Sequence, residues 1–213
     1  MLSTPLTMTI ACLLAAAGLV VAELQQLRIS KLLCKVAAST AFVLLALSLH
    51  ATDSRYGQTM LAALALSWIG DVCLLSERSA LFLSGLAFFL LAHVAFSVAF
   101  AAGALHVFAG VAGLVLMSII GALTLRWLWH HLGTAYKAAV SAYVIAIVAM
   151  CSLAIACGAA SGSWLVGVGA LAFAASDISV ARNRFVAPGF ANRAWGLPVY
   201  YSAQLLLAWS IAH

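Results

Sequence analysis

Long apolar runs alternate along the chain with short breaks of charged residues, glycine or histidine, and the spacing of those breaks predicts eight helices. The runs cover approximately Pro5–Ala22, Leu32–Leu49, Thr59–Leu75, Ala80–Ala102, Val107–Leu125, Ala138–Ala156, Leu165–Ala181 and Leu197–Ala212. Each is close to the ~20 apolar residues that cross the hydrocarbon of a bilayer. The weakest break, around Gly103–His106, holds no strong charge. The first run carries Ala15-Ala16-Ala17 at a cleavage-like place but no basic segment ahead of it, so it reads as a membrane helix and not as a secretory leader.

Composition agrees with the pattern. Of 213 residues, 66% are hydrophobic and 7% charged, with a mean hydropathy of +1.16, whereas soluble domains carry about 25% charged residues. Eight spans occupy roughly 160 positions and leave roughly 50 for all loops, so residues 1–213 are expected to form a single integral membrane domain. The expected fold is all-α, a polytopic bundle of eight transmembrane helices.

Charge then gives the orientation. A net charge of +5 suits a nucleic-acid partner, but the basic residues are scattered among apolar runs and form no stripe with exposed aromatics. They sort instead by loop. Arg28, Lys31, Lys35, Arg78, Arg126, Lys137, Arg182, Arg184 and Arg193 fall at the connections after the first, third, fifth and seventh helices, and Arg55 alone at the other end. The bias of Lys and Arg places those four connections in the cytoplasm and both termini outside. Trp127, Trp129 and Trp195 at inner helix ends and Trp164 and Trp209 near outer ones suit interfacial anchors, and Trp68 lies deeper. An internal echo at an offset of 106 sets Ser67-Trp68-Ile69-Gly70-Asp71 over Phe173-Ala174-Ala175-Ser176-Asp177, Arg78 over Arg184 and Lys31 over Lys137. It admits a division into two four-helix parallel repeats, with chance matching in an apolar sequence as the competing explanation.

Few residues are left to carry chemistry. Among the five acidic residues, Glu23 and Asp53 are expected in loops, and Glu77 adjoins Arg78 at a helix end. Asp71 and Asp177 differ, because each lies in the last turns of an apolar helix. A carboxylate within a span faces a partner or a wet cavity, and the plain alternative is a helix-end pair with Arg78 or Arg184. Tyr143, Tyr200, Tyr201, Gln204 and Lys35 gather on the same half of the membrane, and Gln204 shares a helix face with either tyrosine. Gln204 also suits a purely structural bond between helices. The fourth helix carries Phe82, Gly85, Phe89, His93 and Phe96 on one stripe, with His93 its one titratable group and a satisfied core histidine its plainer reading. No metal-ligand spacing, phosphate loop or GxSxG elbow occurs. The five cysteines, an odd count without CxxC, read as small buried hydrophobes. Neither metal nor cofactor is expected.

Ser67-x-x-Gly70-Asp71-x-x-Leu74-Leu75, Phe82-x-x-Gly85-Leu86-x-x-Phe89-Leu90-x-Ala92-His93-x-x-Phe96, Tyr143-x6-Met150, Ser176-Asp177-x-x-Val180-Ala181 and Tyr200-Tyr201-x-x-Gln204 occur in that order. Together they resemble the YhhN family of lysoplasmalogenases. Phe96 stands where the family often has Tyr, and the family's Lys-Pro near the second helix is met only by Lys31-Leu32 or Lys35-Val36. The resemblance implies an eight-helix hydrolase of the cell inner membrane, with its polar site toward the cytoplasmic half. Its substrate would be lysoplasmalogen, cleaved at the vinyl ether to a fatty aldehyde and glycerophosphoethanolamine or glycerophosphocholine.

A vinyl ether resists nucleophiles until its β-carbon is protonated, after which water captures the oxocarbenium ion. The reaction needs an acid and a carboxylate facing a cation, the division of labour of glycoside hydrolysis. Asp71 and Asp177 are the candidate pair. Tyr200, Tyr201 and Gln204 are candidates to orient water or the glycerol hydroxyl, and Lys35, Arg182 or Asn183 to meet the phosphate. His93 and Tyr143 are candidate lining groups, and the alkenyl chain is expected among Phe82, Phe89 and Phe96. A small transporter or lipid-binding protein using the same polar cavity is the rival reading. Against it, none of Pro5, Pro188 and Pro198 is expected in mid-span.

Overall fold

In a computed structural model of the chain, which describes residues 3–76 and 78–212, eight α-helices follow one another. They are α1 (Thr4–Leu24), α2 (Arg28–Ser48), α3 (Arg55–Cys73), α4 (Ser79–Ala101), α5 (Val107–Trp129), α6 (Thr134–Ser161), α7 (Trp164–Ala181) and α8 (Phe190–Trp209). A 3-10 turn at Ala51–Asp53 precedes α3, a π-helical turn at Arg182–Val186 extends α7, and a second 3-10 turn at Ser210–Ala212 follows α8. No strand occurs among the described residues. Glu77 lies outside the described residues.

Six of the helices, all but α3 and α8, are long and apolar enough to cross a membrane, α7 being counted with its π turn. With 19 and 20 residues, α3 and α8 are long enough as well. Their composition is what sets them apart, because they carry Ser67, Asp71, Asn192, Tyr200, Tyr201 and Gln204, all buried. Polar groups point inward while Leu14, Ile29, Val107 and Ile145 stay exposed on the outside. An apolar exterior around a polar interior is the arrangement a hydrocarbon solvent demands.

Consecutive helices pack as hairpins, α1 with α2, α3 with α4, α5 with α6 and α7 with α8. Seven helices close a ring in the order α1, α2, α3, α4, α6, α7, α8 and back to α1, and α5 packs outside it on α6. Accordingly α5 buries a single stripe, Gly113, Met117, Gly121 and Leu128, and leaves Phe108 80% exposed. Close approach of α3 and α4 depends on two glycines. A Cβ on Gly70 would lie 2.8 Å from the Phe89 ring, and one on Gly85 would lie 2.9 Å from Leu74. The predicted α4 stripe is the buried face of that helix, with Phe82, Gly85, Phe89, His93 and Phe96 all inside.

Three expectations are corrected. The last helix begins at Phe190, seven residues before the apolar run, because Asn192 and Gly196 face the protein interior and not solvent. Pro198 therefore lies inside α8, so one proline does interrupt a helix, leaving the Ala194 carbonyl without its usual i+4 donor. Glu23 is not in a loop; it closes the last turn of α1, buried against two cations.

Candidate active site

A cavity of about 1020 Å³ lies between the last turns of α1, α3, α5 and α7 and the first turns of α2, α4, α6 and α8. Asp71 and Asp177 both line it, as do Lys35, Phe82, Phe89, Tyr143, Asn183 and Tyr200. This is the end of the bundle that carries nine of the ten basic residues.

Three donors converge on Asp71, which is 3% exposed. The hydroxyls of Ser39 and Tyr200 each donate to Oδ2 at 2.7 Å, and Lys35 Nζ lies 3.3 Å from Oδ1. Lys35 and Ser39 share a face of α2 at i,i+4 spacing. Behind them Tyr201, fully buried, places its hydroxyl 3.2 Å from Ser39 Oγ and donates to the Lys35 carbonyl at 3.4 Å. Asp71 is thus an acceptor held from α2 and α8, paired with Lys35 and not with Arg78.

Asp177 has other surroundings. Tyr143 donates to its Oδ1 at 3.1 Å, and His93 Nε2 comes within 3.3 Å of Oδ2. His93 Nδ1 lies 2.6 Å from the Phe89 carbonyl. A carbonyl only accepts, so Nδ1 carries a hydrogen. Neither His93 Nε2 nor Asp177 Oδ2 has a hydrogen-bond partner among the described residues, and their pairing is a contact without good alignment. Asp71 thus has three donors around it, while Asp177 accepts from Tyr143 alone and has the His93 imidazole beside its second oxygen.

An aromatic cluster adjoins both, through Tyr200 at Asp71 and His93 at Asp177. Phe89, Phe173 and Tyr200 meet edge to face with ring centroids 5.5–6.0 Å apart, and His93 lies 4.5 Å from the Phe173 ring. Phe82 faces the Arg184 guanidinium at 4.5 Å. Phe96 is fully buried, stacked on Phe100, and lies away from the cavity lining. Arg182, Tyr201 and Gln204 do not line the cavity either, and His93, expected as a lining group, is fully buried behind Asp177 and does not line it. Arg182 donates to Asn192 Oδ1, and Asn192 donates to the Ala187 carbonyl and to Asn183 Oδ1, which ties the π turn to the start of α8. Gln204 is fully buried, its amide without a hydrogen-bond partner among the described residues.

Residues 30–211 match the YhhN family. The chain belongs to that family. Among its relatives, the lysoplasmalogenase TMEM86B of Sus scrofa is 35% identical over 159 residues, 74% of this chain and 65% of that protein. The lysoplasmalogenase of Mycobacterium bovis is 34% identical over 178 residues, 80% of this chain and 66% of that protein. The lysoplasmalogenase TMEM86A of Bos taurus is 32% identical over 155 residues, 69% and 62%. The matched part thus spans just under two thirds of the length of these relatives. No solved structure matches the chain.

In this YhhN protein three contributors escaped the sequence reading. Ser39 carried a signal, since it lies i,i+4 from Lys35 inside an apolar helix. Phe173 carried none beyond being one of ten phenylalanines. Arg193, which bonds Glu23 across 170 positions of sequence, needed the closure of the ring to be seen.

Proposed function

We propose that this protein is a lysoplasmalogenase-type hydrolase that cleaves the vinyl ether of a single-chain ether phospholipid to a fatty aldehyde and a glycerophosphoethanolamine or glycerophosphocholine. The observation that carries this reading is the placement of Asp71 and Asp177, in unlike hydrogen-bonding environments, on the wall of one cavity. The cavity is of the size that takes small ligands, about 300–1,000 Å³. Cationic groups lie toward its mouth, and Ile120, Val144 and Val148 line its α5–α6 side, which suits an amphiphile.

The two environments divide the work. In this reading Asp177, with His93 beside it, delivers a proton to the β-carbon of the vinyl ether, whose π electrons form the new C–H bond. The resulting oxocarbenium ion faces Asp71, which Lys35, Ser39 and Tyr200 hold in place. Water adds to the cationic carbon and gives its proton to the His93–Asp177 pair, restoring it. The hemiacetal hydroxyl then gives up its proton as its oxygen forms the aldehyde carbonyl, the carbon–oxygen bond to glycerol breaks, and the departing glycerol oxygen takes up one proton, so that an aldehyde and a free glycerol hydroxyl leave. Phe89, Phe173 and Tyr200 restrict the site to the water that reacts.

In the same reading all eight helices cross the inner membrane, α3 and α8 with their polar faces turned to the cavity. The basic end and the site face the cytoplasm, and both termini lie outside. The test is hydrolysis of lysoplasmenylethanolamine by the purified protein in D₂O. The expected product is an aldehyde with one deuterium on carbon 2. Uptake into vesicles without aldehyde release is the result the transport reading predicts and would overturn this one.

A further inference from the structure

Arg28 and Lys31 on the first turn of α2, Arg193 on the first turn of α8 and Glu23 on the last turn of α1 line the same cavity as the two aspartates. Glu23 is 9% exposed. Its Oε2 lies 2.9 Å from Lys31 Nζ and also accepts from Arg193 Nη1. Lys31 donates as well to Gln26 Oε1 at 3.1 Å. Two cations contact the Glu23 carboxylate and a third, Arg28, lines the same cavity, an excess of two positive charges over the one carboxylate. The carboxylate fixes two of the cations without consuming them, since an ammonium has three donors and a guanidinium five.

The spacing to the aspartates is set by α2. Lys31 and Lys35 are four residues apart, ~6 Å along the axis and on one face, and Lys35 is the residue paired with Asp71. A three-carbon glycerol bridge covers that length between a phosphate at Lys31 and an ether oxygen at Asp71. Lys35 and Arg182, expected to meet a phosphate, are engaged with Asp71 and Asn192.

We propose that Arg28, together with Lys31 and Arg193, the latter two positioned by Glu23, forms a phosphodiester site that binds the head group of the substrate and sets the depth to which the lipid enters. The inference rests on the hydrolase reading, and its test separates the two. The kinetic arm compares 1-alkenyl-glycerophosphoethanolamine with phosphate-free 1-alkenylglycerol. Wild-type protein is expected to favour the phospholipid at least tenfold in kcat/KM, and Arg28→Gln with Arg193→Gln to shrink that ratio at least tenfold through KM. Arg55→Gln, at the opposite end of the bundle, leaves the ratio unchanged. The binding arm uses a non-hydrolysable alkyl-ether lysophosphatidylethanolamine, whose Kd should rise at least tenfold in the same double variant, with Lys31→Gln as a milder substitute if that variant fails to fold. Loss of head-group binding with no hydrolysis of either substrate by wild type supports the site and overturns the hydrolase reading. An unchanged ratio together with unchanged binding overturns the site. Displacement of the lipid by inorganic phosphate at equal concentration assigns the cluster to free anions and overturns the head-group proposal.

Discussion

Asp71 and Asp177 are two of five acidic residues in 213, and their neighbours give them different work. Removing a hydroxyl that donates to a buried carboxylate costs about 1.5–3 kcal/mol, so Tyr200→Phe is expected to lower the melting temperature and, by loosening Asp71, to lower kcat about 10- to 100-fold, and Ser39→Ala to act in the same direction. Steady-state aldehyde release checks both, and unchanged kcat would remove Tyr200 from the site. His93→Phe removes the imidazole beside Asp177 while keeping an aromatic ring against Phe173. It should reduce kcat by about 100-fold or more, the scale of general acid–base assistance, and single-turnover kinetics would place the loss in the chemical step. The carboxylates, His93, Tyr143 and Tyr200 were legible in the sequence because polar atoms in apolar helices are rare and expensive. Ser39 was less so, because serine is tolerated in a span when it bonds its own helix, as Ser67 does to Ala63.

At the scale of elements, hydropathy located seven helix starts closely enough to place the site and misplaced the eighth. Its first turns carry Asn192, Arg193 and Gly196, which look like a loop by composition and are instead helix facing α7 and α1. Two close fits hold that region. Asn192 is 1% exposed and bonds Arg182, Asn183 and the Ala187 carbonyl, and a Cβ on Gly196 would lie 1.8 Å from Ser179 Oγ and 2.5 Å from its Cβ. Gly196→Ala must therefore shift α8 against α7. It is expected to destabilise by about 1–3 kcal/mol and to disturb Tyr200, one turn further along α8. A lower melting temperature together with reduced activity is the expected outcome, and an unchanged melting temperature would argue against this packing. Sequence separation, not chemistry, hid this contact, as it hid the Glu23 cluster.

For the whole molecule, eight up-and-down helices bring nine of the ten basic residues together with Asp71 and Asp177 to one end, which the sequence already indicated through the sorting of Lys and Arg. The seven-helix ring with α5 outside was not legible, because α5 is as apolar as the helices of the ring and pattern alone does not choose neighbours. In a cysteine-free background, Thr134→Cys should react with a membrane-impermeant maleimide only from the cytoplasmic side, and Asp53→Cys only from outside. The reverse result would invert the topology. The central claim is that one cavity with two unlike carboxylates cleaves a vinyl ether, and the most direct measurement is aldehyde release from lysoplasmenylethanolamine by purified wild type, Asp71→Asn and Asp177→Asn at matched melting temperature. The account predicts turnover by wild type and a loss of about 100-fold or more in each variant. Full activity in either variant, or no aldehyde from the wild type, would contradict it.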